Sequence, residues 1–211
     1  MKWLDQLERK MGRHYIPDLM KILCTAMLGV FVLEYLPLAR SATDLLYFNR
    51  ALILRGEIWR VLSFVFLPPS GSIFFILLSL YFYYFLGSGL ESRWGSRRFN
   101  LYYLIGVLGN IIAGFITGYA TNEYLNLSLL MAFAVIYPEV PFNLFFYIPV
   151  KVKWIGLATG AYLVYQIIVV SWPGRLAIGL ALIPLLLFCG DKLWFRMVLI
   201  FRRVRRRLNM H

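Results

Sequence analysis

The chain has 211 residues, 61% of them hydrophobic, 18% aromatic and only 15% charged, which leaves too little polar surface to cover a water-soluble globule. An integral membrane protein is expected. Without a water-exposed domain, the 22 Lys and Arg against 10 Asp and Glu have no groove in which to hold nucleic acid, so the positive charge is assigned to anionic lipid headgroups.

Residues 1–18 read as an amphipathic segment, with Trp3, Leu4, Leu7 and Met11 on one helical face. The first apolar run, Leu19 to Leu38, contains Glu34 and so differs from the unbroken core of a cleavable signal; it is expected to stay as an anchor. Loop 39–72 includes LLYFNRALILRGEIWRVLSFVFLPPS, a mixture of apolar and basic residues expected to lie half-sunk in the outer leaflet. Five further spans follow: Ile73 to Gly89, Phe99 to Tyr119, Leu125 to Tyr137, Trp154 to Val170, and Leu176 to Cys189. Cys24 and Cys189 sit inside apolar runs and read as small buried hydrophobes.

The fourth run offers roughly 13 residues before Pro138, enough for only ~20 Å of a ~30 Å hydrocarbon core. Such a helix must be shielded by its neighbours or sit in thinned bilayer. After it, PEVPFNLFFYIPVKVKW carries three prolines that forbid a continuous helix, while Phe142, Phe145, Phe146 and Tyr147 supply aromatic bulk for an interfacial loop. Residues 191–211 form a basic tail in which Trp194, Val198, Phe201 and Leu208 share a face. Each charge of its RRVRRR run is worth ~1 kcal/mol at an anionic lipid surface. The organisation expected is therefore 1–18, a six-helix membrane domain over 19–190, and 191–211.

Orientation follows from the cations. With both termini cytosolic, Lys2, Arg9, Lys10, Arg13, Lys21, Arg93, Arg97, Arg98, Lys151, Lys153, Lys192, Arg196, Arg202, Arg203, Arg205, Arg206 and Arg207 fall inside, leaving Arg40, Arg50, Arg55, Arg60 and Arg175. The positive-inside rule favours that arrangement. A short chain without extended cytosolic domains points to a bacterial plasma membrane ahead of the endoplasmic reticulum.

Two clusters of polar residues interrupt the apolar pattern. One is GEIWR, with Glu57, Trp59 and Arg60 in the half-buried loop. The other is Gly87, Glu91 and Gly95, four residues apart at the end of the second span. One-turn glycine spacing lets a neighbour approach closely, and Glu91 on the same face can accept hydrogen bonds at a helix end, which makes it a structural brace. Together these resemble the tryptophan-arginine and GxxxExxxG motifs of the rhomboid superfamily. The resemblance implies an all-α, six-transmembrane-helix rhomboid-like bundle with a half-buried outer loop and a short fourth helix.

Active rhomboids are intramembrane serine proteases with a GxSG nucleophile motif on the fourth span and a histidine base on the sixth. The matching stretch here is LNLSLLMAF, where Ser128 has no flanking glycine. The histidine position falls near Trp172, and the oxyanion-type positions near Phe75 and Ser79. His14 and His211 are the chain's two histidines, ahead of the first span and at the last residue. Ser128 is expected toward the outer half, away from Lys21, Lys151 and Lys153, so no base comes within reach. No catalytic residue is expected, and with no Cys/His cluster, HExxH or phosphate-cradling loop, no metal or cofactor either.

The resemblance then implies a catalytically inactive, derlin-like pseudoprotease that binds or hands over transmembrane client proteins, in quality control or trafficking. Ser79, Asn110, Thr117, Asn126, Ser128 and Gln166 could offer a client hydrogen bonds, or serve as helix-to-helix glue worth about 0.6 kcal/mol apiece. A small-solute transporter or channel is the alternative, with Glu34 as its marker; an active protease ranks below both. The expected partners are the bilayer, with anionic lipid at the basic tail, and transmembrane clients. The oligomeric state stays open.

Overall fold

A computed structural model describes residues 15–34, 42–69, 71–144 and 148–208. Residues 1–14 of the amphipathic segment read at 1–18, with Leu38, Arg40, Phe145, Phe146, Tyr147 and His211, lie outside the described residues, as do the side chains of the tail from residue 193 on.

The described residues form a mostly helical membrane protein, whose main helices are α1 (Leu19–Glu34), α2 (Ile73–Trp94), α3 (Ser96–Thr117), α4 (Glu123–Ile136), α5 (Val152–Val169) and α6 (Trp172–Leu208). Four are long and apolar enough to cross a membrane, namely α2, α3, α5 and the Trp172–Lys192 part of α6. The fourth helix is short, as the sequence suggests: 14 residues, or about 21 Å. α1 has 16 residues, about 24 Å.

α3 is the central helix, since 61% of its apolar stretch is buried against 22–33% for the other three. Small residues allow its neighbours in. With lipid outside, apolar burial gains little, so close packing at small side chains carries helix association. Gly106 faces Leu125 of α4 and Pro184 of α6. A methyl group at Gly109 would stand 2.7 Å from the Leu180 carbonyl oxygen. Pro184 has no N–H to bond that carbonyl, four residues back in its own helix, so α6 exposes an acceptor where α3 comes closest. α5 rests on α4 at Gly156, where a methyl would meet Ala134 at 2.4 Å, and has no substantial packing against α2.

The loop end of the bundle, where residues 42–72 lie, is recessed. The Asn110 amide donates to the Thr121 carbonyl at 3.0 Å, and Asn110 stands seven residues before the end of α3, so α4 begins about 10 Å below it. Residues of the loop fill that recess. β1 (Phe48–Asn49) pairs antiparallel with β2 (Tyr119–Ala120), Phe48 opposite Ala120. The buried Phe48 ring meets Phe64 and Phe115 edge-on at 5.9 and 5.4 Å. Phe64, Val65 and Leu67 are buried beside it, so the loop is a packed element.

The turn end differs from expectation after α4. The segment read as an interfacial loop is an antiparallel hairpin, β3 (Pro141–Leu144) with β4 (Ile148–Lys151); prolines are tolerated because neither strand has a second neighbour. Its Phe142 is buried against Phe82 and Phe85 of α2, at 4.6 and 5.6 Å. The sixth span, read from Leu176 to Cys189 or a little beyond, and the amphipathic basic tail are continuous: α6 runs 37 residues from Trp172 to Leu208, joining them in one helix. The tail's charges do not stop a helix, because Lys and Arg are good helix formers.

Replacing Gly109 with alanine forces α3 and α6 apart and should lower stability by about 1–3 kcal/mol, read as reversible unfolding in mixed micelles; Gly179→Ala, with open space around it, should leave stability unchanged. On the hairpin, Glu139 accepts from Lys151 at 2.9 Å and Lys153 at 2.8 Å. These bonds hold its carboxyl at about 2, below the ordinary 4.5. A depressed carboxylate contributes stability above pH 4.5 that is lost as pH falls through about 2. Carbon NMR of the carboxyl should show that low midpoint at low salt and a rise toward 4.5 in concentrated salt, because the site is exposed.

Candidate functional site

The GEIWR cluster builds a carbonyl clamp. The short helical turn Ala42–Leu46 ends in carbonyls that no further helical N–H can reach. Side chains from the following turn supply the donors. Arg60 Nη1 donates to Asp44 O at 2.5 Å and Tyr47 O at 3.1 Å, Trp59 Nε1 to Leu45 O at 3.2 Å, and Ser63 Oγ to Leu46 O at 3.0 Å. Four successive carbonyls are thereby satisfied. Arg60 is 5% exposed, and its Nε pairs with Glu57 Oε2 at 2.5 Å, which offsets the cost of burying a guanidinium. Trp59 itself is half-exposed, so it contributes through its indole N–H and not by filling a core.

The second motif holds the start of α1. Glu91 is buried and its Oε1 accepts from the backbone N–H of Asp18 at 2.9 Å; Asp18 is at φ +52°, a strained non-glycine turn. Glu91 therefore braces the bundle, as the spacing suggests. The two flanking glycines do different jobs. Gly87 admits Met20 of α1, whose side chain would lie within 2.1–2.9 Å of an added methyl. Gly95 has nothing within 4 Å but sits at φ +83° as the single residue between α2 and α3. The expectation of close approach at both is corrected: at Gly95 the need is for a conformation that L side chains rarely adopt.

The positions matched to rhomboid chemistry do not converge. Ser128 is fully buried and its Oγ is hydrogen-bonded to the Tyr102 hydroxyl at 2.5 Å. Tyr102 in turn is enclosed by Trp94 and Phe188, with ring centres 5.3 and 5.4 Å away. Ser79 is half-buried on α2, while Phe75 and Trp172 are exposed at 54% and 69%. Phe188, not Trp172, stands at the level of Ser128; sixteen residues of helix separate them, about 24 Å. Ser128 also lies nearer the turn end than the expected outer half, because α4 starts two turns down. Lys151 and Lys153 are both engaged by Glu139, and Lys21 is on the exposed side of α1, in a groove with Pro17 and Thr25.

Most polar residues offered for a client are spent internally. Asn110 bonds Thr121 O, Thr117 bonds the carbonyls of Ala113 and Tyr119, and Gln166 bonds the Tyr162 hydroxyl at 2.6 Å. Asn126 differs: its Oδ1 is buried without a partner among the described residues, as is the Tyr103 hydroxyl. Unmatched buried polar atoms of this kind cost about 1–3 kcal/mol each. Glu34 lies at the loop end of α1, accepting from Thr43 Oγ1 at 3.2 Å. Its position is the exposed rim of the bundle at the loop end.

Three positioning residues escaped the sequence. Asn100 accepts from Ile16 N at 2.9 Å and donates to Ile16 O and Ser96 O at 2.8 Å, pinning the approach to α1. Asn122 spans from α4 to Val65 O and Leu67 O, at 3.2 and 2.9 Å, and so fastens the loop into the recess. Tyr102 is the third. A single asparagine beside a helix is a weak signal, but Asn122 just before the short apolar helix and Asn126 within it are an available clue. Neither a scan of protein-family models nor a search of curated proteins matches this chain. The rhomboid likeness therefore rests on two motifs and the order of the helices.

Lysine at position 60 would keep the charge but present a single ammonium where a planar fork reaches Glu57, Asp44 and Tyr47. Arg60→Lys should cost about 2–3 kcal/mol, below the figure for a fully buried pair since Glu57 is 31% exposed. It should open residues 42–69 to protease in detergent before the helices unfold.

Proposed function

We propose that this chain is a non-catalytic, rhomboid-like membrane protein that binds transmembrane client proteins and eases their handling by thinning the bilayer around it. The observation that carries the reading is α4: 14 residues, starting two turns below the end of the central helix and roofed by a loop instead of by lipid-crossing helix. A bundle with a short, recessed member matches a bilayer thinner than the usual ~30 Å, and lipid must deform to meet it. Deformed lipid lowers the cost of exposing a polar group within a span.

Two features add support. α5 and α2 both pack on α4 but have no substantial packing on each other, a side of the short helix where a visiting helix could approach. Ser128 is bonded to a phenol in an aromatic enclosure; a neutral phenol gives it no basic nitrogen of the kind a serine nucleophile requires.

The test uses the full chain in vesicles and two labelled 20-residue spanning peptides, one all-leucine and one with a central asparagine. Energy transfer should show the asparagine peptide binding at least threefold tighter, with the difference growing as lipid chains lengthen and mismatch increases. Equal binding of the two peptides at every thickness overturns the client reading. Separately, a fluorophosphonate probe should label wild type and Ser128→Ala equally; labelling lost on Ser128→Ala would make the chain a serine hydrolase.

A further inference from the structure

The loop end carries a cleft of about 400 Å³ that neither motif uses. Its walls come from three places in the chain: Phe31 and Glu34 at the end of α1, Thr43 and Tyr47 in the loop, and Pro68 with Ile76 on either side of the start of α2. Phe31 and Ile76 are buried, whereas Glu34 and Tyr47 are exposed. The cleft therefore has an apolar floor and an acidic, aromatic rim.

Its electrostatics are one-sided. Thr43 donates to one oxygen of Glu34 at 3.2 Å and so orients the carboxylate. Among the described residues, no basic side chain forms an ion pair with Glu34. Of the described loop arginines, Arg60 is committed to Glu57 and two carbonyls, and Arg50 to Phe115 O. A carboxylate facing an apolar cleft calls for a cation whose own surface is partly apolar. One carboxylate with one hydroxyl is too few hard oxygens for Ca²⁺, and Mg²⁺ would keep most of its waters and fit an apolar floor poorly. Among the described residues, no group of three His, Cys, Asp or Glu stands together to hold a metal. An organic ammonium meets both demands, since Tyr47 at the rim offers a ring face to its diffuse charge. The volume lies within the usual range for small-ligand clefts.

We propose that this cleft binds an organic ammonium group bearing an apolar substituent, with Glu34 as its counter-ion and Thr43 as the residue that positions the carboxylate. The proposal is independent of client handling. The same chemistry is offered by the headgroup of an amine phospholipid and by a free alkylammonium solute.

Purified full-length protein in maltoside micelles is titrated with choline and with ethanolamine, using saturation-transfer NMR. In parallel, native mass spectrometry compares retention of phosphatidylethanolamine with that of phosphatidylglycerol. Glu34→Gln should weaken binding at least tenfold and Thr43→Val about threefold, while Glu139→Gln, on the opposite end, leaves it unchanged. Retained phosphatidylethanolamine that Glu34→Gln releases, without binding of either free amine, assigns the site to lipid; the reverse assigns it to a solute. Matching unfolding curves for wild type and Glu34→Gln ensure that lost binding is not lost fold. Binding equal in wild type and Glu34→Gln, or no binding of any probe to wild type, overturns the proposal. So does binding that emerges only in Arg40→Ala, because the chain's own arginine would then be the occupant.

Discussion

Inside a bilayer, a backbone N–H or C=O without a partner costs several kcal/mol, and a continuous helix is the simplest way to avoid that cost. α4 gives up that solution for about 10 Å of depth. Irregular backbone must then take its place, and each of its polar groups needs a donor or acceptor from elsewhere. The side chains of Asn110, Asn122, Arg60, Trp59 and Ser63 meet that demand, all donating to main-chain carbonyls of the recess or of the loop that fills it. The clamp at residues 57–63 is thus a consequence of the short helix and not a separate feature.

The two ends of the bundle are secured by different means. At the loop end, side chains satisfy irregular backbone and aromatic rings of Phe48, Phe64 and Phe115 fill the volume. At the turn end, Glu91 and Asn100 hold the segment before α1 by its backbone, and Arg97 lies over the Tyr15 ring at 5.3 Å. Between them large apolar side chains fill the core, and the closest approaches of helix to helix fall at small residues such as Gly87, Gly106, Gly109 and Gly156. Ser128 belongs to this middle layer: its hydroxyl has found the Tyr102 phenol, and aromatic rings exclude other company.

Much of this was legible in the residues. Apolar runs of ~20 residues mark spans because the bilayer sets the length, and the shortness of α4 follows from Pro138. Glu91, a carboxylate one turn from a helix end beside glycines, accepts from the backbone before α1, a use its position in the sequence suggests. Less legible was anything depending on partners far apart in the chain. Ser128 and Tyr102 are 26 residues apart and Asn122 and Val65 57; single-residue patterns carry no trace of such pairings. The hairpin at 141–151 was hidden because its prolines argue against strands in general, and only its two-stranded isolation makes them harmless. Near Cys189 the sequence marks the end of the apolar run, while the helix continues to Leu208: hydropathy reports where lipid ends, not where a helix ends.

That last distinction gives α6 a mechanical character. At 37 residues it extends about 55 Å, well beyond the hydrocarbon, so its far half is a stiff rod continuous with the bundle's interior. A force applied to the projecting part arrives at Pro184, the one point in the helix where a rung of the hydrogen-bond ladder is missing, and there the rod bears directly on the glycine face of α3. Whatever the rod touches beyond the lipid is coupled, by leverage alone, to a close backbone contact at the centre of the bundle.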